Sequence, residues 1–216
     1  MPHRIAPKKI LIADDHAVVR KGLKQILLEG LLNVTVDEAV DGLEAEQLAR
    51  INKYDVIILD ISLPGKNGLD VLKQLIELKI SSKILMLSIY AEDQYGIRVI
   101  KAGASGFLNK DSAPEELIDA VNTLLIGRKY VTPKIAEQMA QQISGGNKQL
   151  HETLSDREFQ VMQLLAEGKT VNEIAEKLIL SAATINTYRA RVLHKLSIRN
   201  HAELTRYVME FGLMTQ

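Results

Sequence analysis

Two kinds of apolar pattern alternate along the first 125 residues. Unbroken apolar runs occupy residues 10–13, 56–59 and 84–87, the first and last each led by a lysine, and none shows the in–out alternation of a half-exposed strand. Such runs predict strands buried on both faces, as in a parallel sheet. Between them, apolar residues recur three and four apart: Val18, Val19, Leu23, Ile26 and Leu27; then Leu43, Ala45, Leu48 and Ile51; then Leu69, Leu72, Leu75 and Ile76. That spacing predicts helices. Weaker strands are expected at Val34-Thr35-Val36 and Gly106-Phe107-Leu108. A short helix is expected around Ile97, Ile100 and Lys101, closed by Gly103, and a fifth is opened by Pro114 and carries Leu117, Ile118, Val121, Leu124 and Leu125. Proline is well tolerated in a first helical turn. Strand and helix alternating five times predict a parallel sheet with helices on both faces.

The pattern changes after residue 127. Tyr130, Ile135, Met139 and Ile143 fit one face of a short helix following Pro133, and Ser144-Gly145-Gly146-Asn147-Lys148-Gln149 reads as a flexible joint. Beyond it only helical spacing remains. Ser155 is the expected N-cap of a helix, with Glu158 completing a capping box and Gly168 ending it. A second helix is expected over 171–178, a third from Ser181 with Ile185, Val192 and Leu196 inward, and a fourth over 202–211. The short turn at Ile179-Leu180-Ser181 makes the middle pair a helix-turn-helix candidate.

Composition narrows the picture. The 216 residues are 46% hydrophobic and 25% charged, as in ordinary soluble globular proteins. With no cysteine, a disulfide scaffold, a thiolate zinc site and a cysteine nucleophile are excluded. No apolar run approaches the roughly 20 residues a membrane helix needs, and Met1-Pro2-His3-Arg4 does not open a signal peptide. A cytoplasmic protein with no membrane partner is expected. Net charge is zero, so bulk electrostatics give no hint of nucleic acid. Charge is nevertheless uneven. Residues 151–216 hold eight cations and eight acids, whereas residues 181–201 hold Arg189, Arg191, Lys195 and Arg199 and no acid. That is the footprint of a helix lying against phosphates.

The expected strands end in polar residues. Asp14-Asp15 follow the first, Asp60 ends the third, Ser88 ends the fourth, and Lys110 follows the fifth. In an open parallel sheet these carboxyl ends share one edge, where such folds place their chemistry. Singly, each residue is more simply a cap or a surface group; all five at corresponding strand ends make that reading poor. Carboxylates held close need a cation, and an oxygen-rich set without His or Cys favours Mg2+. A lysine and a hydroxyl facing them can bind phosphoryl oxygens, leaving one carboxylate free to attack phosphorus.

These residues resemble the receiver domain of two-component response regulators, over about residues 7–128. The resemblance implies a flavodoxin-like, doubly wound fold and a phosphoryl group taken by Asp60 from a sensor histidine kinase. It implies Mg2+ held by Asp15, Asp60 and the main-chain carbonyl of Ser62, with Asp14 acting through water. Ser88 matches the switch hydroxyl, Phe107 the aromatic that follows it inward, and Lys110 the family lysine. Asp111 stands where many receivers have proline, and Ile89 where many have a small residue; Ile89 is expected to narrow access to the acceptor.

The second half resembles the LuxR-type helix-turn-helix domain, through Leu154-Ser155-Asp156-Arg157-Glu158, Asn172-Glu173-Ile174-Ala175, Thr184-Ile185 and Lys195-Leu196-Ser197-Ile198-Arg199. Together the halves resemble a NarL/FixJ-family response regulator: receiver 7–128, part-helical linker 129–150, and DNA-binding domain 151–216. The resemblance implies that the helix begun at Ser181 enters the major groove. Asn186, Thr187 and Ala190 take the base-facing positions, Thr170, Thr184, Tyr188, Arg189, Arg191 and Lys195 are expected around them on phosphates, and Ser181 belongs to the same DNA-binding set. Many members carry Lys and His where this chain has Asn186 and Tyr188. The implied function is transcription regulation by a protein that is not a dedicated enzyme. Phosphorylation at Asp60 would drive homodimerisation on paired half-sites, with RNA polymerase as a further partner. Two rivals differ in class. One is a receiver whose helical domain binds protein, and the other a haloacid-dehalogenase-type phosphotransferase. The second normally wants an acid two residues beyond its nucleophile, where this chain has Ser62.

Overall fold

The computed structural model describes residues 6–90, 92–143 and 149–214, without the side chains of 93 and 141–143. Residues 144–148 of the joint expected at 144–149, and the first five residues, lie outside these. The chain divides into two compact units, Met1–Gln138 and Met139–Gln216, each described by itself.

The first unit runs β1 (Lys8–Ala13), α1 (Ala17–Gly30), β2 (Val34–Ala39), α2 (Gly42–Ile51), β3 (Val56–Asp60), α3 (Gly68–Glu77), β4 (Lys83–Ser88), α4 (Glu92–Lys101), β5 (Gly106–Asn109) and α5 (Ala113–Leu125). All strand pairs are parallel, in the order β2-β1-β3-β4-β5. The unbroken apolar run of β3 is buried along its whole length, as a central strand covered on both faces requires. One face of the sheet packs Ile10, Ile12, Val56, Ile58, Leu85 and Leu87 against Leu23 and Leu27 of α1 and Leu117, Val121 and Leu124 of α5. The register sets Ala13 beside Leu59, Asp60 beside Leu87 and Ser88 beside Asn109, so the polar strand ends come level on one edge.

Several elements differ from the sequence pattern. β2 extends to Ala39 because its acids are partnered: Asp37 takes the Tyr54 hydroxyl at 2.8 Å and the Lys9 ammonium at 3.0 Å, and Glu38 takes Lys24 at 2.7 Å. α2 forms where the spacing predicts it, but its larger apolar residues do not mark its buried face. Leu43 and Ile51 are exposed, and the helix instead buries Gly42, Ala45 and Ala49. Small residues are required there, since a side chain on Gly42 would run into the Lys66 carbonyl. Val18, expected inside α1, is 85% exposed.

The segment read as linker is not uniform. Tyr130 pairs with Gly106 beside β5, and its hydroxyl donates to Glu116 at 2.7 Å. α6 (Pro133–Ile143) starts on the first unit, with Ile135 buried against Gly96 of α4.

The second unit has a 3-10 turn at Leu150–Thr153 and then α7 (Asp156–Ala166), α8 (Val171–Leu178), α9 (Ala182–Lys195) and α10 (His201–Glu210), with α7 packed on the other three helices. Ser155 and Glu158 form the expected capping box; Thr170 and Glu173 form a second one on α8. The turn between α8 and α9 passes through Ile179 at φ +53°, a left-handed conformation that a β-branched residue adopts at a cost.

Candidate functional site

The strand ends bring together what the sequence spread over a hundred residues. Asp14 and Asp60 are both buried, and the Lys110 ammonium lies between them, 2.6 Å from one carboxylate and 2.7 Å from the other. The other Asp14 oxygen accepts the His16 main-chain N–H at 2.8 Å, while the one facing Lys110 is held by the ion pair alone. Asp60 accepts the Ser62 N–H on its other oxygen at 3.1 Å, which folds the loop after β3 back over the carboxylate. Asp15 faces outward, and its carboxylate meets the His16 imidazole at 2.7 Å.

Burial pushes the Asp60 carboxyl above the usual carboxylate range; Lys110 opposes this, Asp14 adds to it, and the Ser62 N–H lowers it. Burial would by itself lower the Lys110 ammonium, but Asp60 and Asp14 outweigh it and hold its pKa above the ordinary value. One ammonium against three carboxylates leaves the pocket anionic. Oxygens of Asp14, Asp15 and Asp60 and a nitrogen of His16 lie within 4.8 Å of one another. With the imidazole turned to Asp15, the free donors are carboxylate oxygens, and the pocket is compatible with a hard cation such as Mg2+.

Ser88 is buried at the end of β4 and its Oγ accepts the Tyr90 N–H at 2.9 Å. Its carbonyl accepts the Lys110 N–H at 2.8 Å, so the hydroxyl-bearing strand end and the lysine share one backbone bond. Phe107 is wholly buried in β5. The Ser62 hydroxyl is buried with no hydrogen-bond partner among the described residues. Sequence reasoning missed two residues beside the acids, His16 and Arg20. Their signal was position: one follows the acid pair directly, and the other lies one helical turn further on.

The second unit offers a different surface. Asn186, Thr187, Ala190 and Arg191 are exposed on α9, opposite the buried Ile185 and Val192, while Thr184, Tyr188 and Arg189 are half-buried. Ser181 caps α9 by accepting the Thr184 N–H at 3.1 Å, and Thr170 caps α8 and donates to Glu173 at 2.8 Å. Lys195 is placed differently from its neighbours. Its ammonium lies 2.6 Å from the buried carboxylate of Glu158, so that charge is committed within the domain. Arg189 and Arg191 have no ion pair among the described residues.

Comparison with known proteins agrees in both halves. Residues 10–122 match the response regulator receiver domain, and residues 152–208 match the bacterial regulatory proteins of the luxR family. The response regulator UvrY of Escherichia coli K12 is 37% identical over 206 residues, covering 94% of each chain. The response regulator GacA of Pseudomonas aeruginosa is 34% identical over 212 residues, covering 95% of this chain and 97% of that one. Among solved structures, RcsB of Salmonella enterica serovar Typhimurium, bound to the promoter rprA in the presence of the phosphomimetic BeF3-, aligns with a TM-score of 0.65 and 28% identity over 94% of this chain and 98% of that one. Among the described residues no helix is long and apolar enough to cross a membrane. With a receiver joined to a LuxR-type DNA-binding domain, and with relatives matched across nearly its whole length, this chain belongs to the NarL/FixJ family of two-component response regulators, which regulate transcription and are not dedicated enzymes.

Proposed function

We infer that Asp60 is the phosphoacceptor, taking its phosphoryl group from a sensor histidine kinase in the cytoplasm. The observation that carries this reading is the Lys110 ammonium set between two buried carboxylates at the strand ends. An Asp60 oxygen attacks phosphorus, the bond from phosphorus to the donor breaks, and the donor nitrogen or oxygen leaves with the electron pair. The product is an acyl phosphate on Asp60. Lys110 is in place to follow the new charge, so little reorganisation is needed. A bound Mg2+ supplies further neutralisation of the phosphoryl oxygens. Asp15, Asp60 and the Ser62 main-chain carbonyl would hold it directly. Asp14, with its carboxylate already shared between Lys110 and the His16 N–H, would reach it through water. Hydrolysis of the same acyl phosphate resets the protein, and these two steps are its whole chemistry.

The phosphoryl group adds about −1.5 to −2 charge beside Ser88. The Ser88 hydroxyl then exchanges the Tyr90 N–H for a phosphoryl oxygen, and Phe107 follows into the space released. Output is homodimerisation on paired half-sites, with α9 in the major groove and RNA polymerase as the downstream partner. Asn186, Thr187 and Ala190 face bases; Arg189, Arg191, Thr170, Ser181, Thr184 and Tyr188 face phosphates. Lys195 acts there chiefly through its hold on Glu158.

The test treats wild type and Asp60→Asn with a small phosphodonor and Mg2+, following intact mass, light scattering and DNA binding. Wild type gains one phosphoryl group, dimerises and binds DNA more tightly, and the variant does none of these. Indifference of mass and DNA binding in wild type defeats the reading. Absence of salt-sensitive DNA retention in either form would point to a protein partner for the helical domain.

A further inference from the structure

Arg20 reaches back from the second turn of α1 to the loop that carries the acid pair. Its Nη1 donates to the Asp14 main-chain carbonyl at 2.7 Å. Its Nε lies 3.4 Å from Glu38 on the neighbouring β2, an ion pair without hydrogen-bond geometry, and Lys24 holds the other oxygen of that carboxylate at 2.7 Å. The Arg20 side chain is 12% exposed. Side-chain contacts restrain residues 14–16, but the main chain of the junction between β1 and α1 has weaker ties. The Asp14 N–H reaches the Ala39 carbonyl only at 3.3 Å, and His16, at the N-cap of α1, makes no side-chain capping bond. A planar guanidinium can donate to a carbonyl from one nitrogen while another faces a carboxylate, which a lysine ammonium does not reproduce.

We propose that Arg20 is a positioning residue for the cation of the phosphorylation site. By tying the Asp14 carbonyl to β2 through Glu38, it fixes the backbone from which Asp14 and Asp15 project, and so sets the affinity for Mg2+ without touching the ion. This rests on the reading that Asp14, Asp15 and Asp60 hold the cation. Charge and position give opposite signs here. The Arg20 cation stands near an anionic pocket, so its charge alone opposes a dication, and removing it would tighten binding. Loss of the clamp weakens binding, by about tenfold or more for a partner behind the ligands.

The experiment titrates Mg2+ into the metal-free full-length protein by calorimetry, with no phosphodonor. Wild type is compared with Arg20→Met, Arg20→Lys and Asp15→Asn. Arg20→Met is expected to bind Mg2+ about tenfold or more weakly, and its phosphorylation rate should return towards that of wild type at saturating Mg2+. Arg20→Lys, which keeps the charge and loses the planar guanidinium, is also weakened. Asp15→Asn loses binding. If Arg20→Met binds as wild type or tighter while Asp15→Asn is defective, the clamp is overturned and the cation site stands. If Asp15→Asn also binds as wild type, the cation site itself is overturned. Should Arg20→Met fail to fold, Arg20→Lys decides alone: wild-type affinity overturns the clamp, and weaker binding supports it.

Discussion

Gly68→Ala tests how tightly the backbone holds the acceptor. Gly68 is the first residue of α3, where helix propensity alone favours Ala over Gly by about 1 kcal/mol. The structure reverses that sign. A methyl group on Gly68 would sit inside the van der Waals radius of the Asp60 carbonyl oxygen, 2.8 Å from the Asp60 carbonyl carbon and 3.1 Å from Ile61 Cα. Both neighbours are main chain, so no side chain can swing aside. The start of α3, or the end of β3, must move by roughly 1 Å, with an overpacking cost of about 2–3 kcal/mol. Set against the propensity gain, the net loss is about 1–2 kcal/mol, or some 3–8 °C in the melting temperature of a unit this size. The displacement falls on Asp60 itself. A shift of about 1 Å at a reacting group costs up to a hundredfold in rate. Calorimetric melting reads the first number, and the rate of mass gain with a small phosphodonor and Mg2+ reads the second. A variant as stable as wild type and phosphorylated at the same rate would refute the argument.

Four further outcomes are expected. Ile179→Gly relieves the left-handed strain in the α8–α9 turn and, after the entropic cost of glycine, stabilises the second unit by roughly 0.5–1 kcal/mol in urea denaturation. Burial pushes the Glu158 carboxyl up, but Lys195 and the Ser155 N–H more than reverse this and hold it below the usual range. A depressed acid contributes stability that is present above the unfolded value, about pH 4.3, and is lost as pH falls through the folded value, so acid unfolding of wild type should be steeper than that of Glu158→Gln. Arg191→Ala should flatten the log–log salt dependence of DNA binding by about 0.9 per bound chain, whereas Lys195→Met should leave that slope nearly unchanged and cost about 2 kcal/mol of stability. Ile89, half-exposed beside Ser88, is expected to shield the acyl phosphate, so Ile89→Ala should shorten its lifetime; an unchanged rate of phosphate release would dismiss the idea.

The strands of the first unit and the caps of the second were legible in the sequence for the same reason. Unbroken apolar runs such as Val56-Ile57-Ile58-Leu59 suit little but a doubly covered strand, and Ser155 with Glu158 satisfies helix N–H groups by local geometry alone. The convergence of Asp14, Asp60 and Lys110 was legible because parallel strands share a direction. What escaped depends on partners distant in sequence. β2 could not be followed through Asp37 and Glu38 without knowing that Tyr54, Lys9 and Lys24 would meet them. The buried face of α2 is made of Gly42, Ala45 and Ala49, whose value lies in close approach rather than in apolar area. Arg20 hid in a helical pattern as one more polar position, and its hold on a carbonyl six residues back carries no compositional signal. Lys195 reads as one of a basic cluster, and only the fold shows its charge spent on Glu158.

The pairing of Tyr130 beside Gly106 bears on how copies of this chain can associate. An open sheet has two rims, each a row of unsatisfied N–H and C=O groups ready to accept a foreign strand. On one rim, β5 is four residues long, and Tyr130 donates its main-chain N–H to Ser105 at 2.9 Å alongside it. On the other, β2 carries Asp37 and Glu38, both locked into ion pairs with their own domain. One rim is short and covered at its start, and the other is guarded by charge. Self-association through a sheet continuous between copies is thereby disfavoured, which favours helical faces for any contact between copies, since such contacts can be made and broken without unravelling a strand.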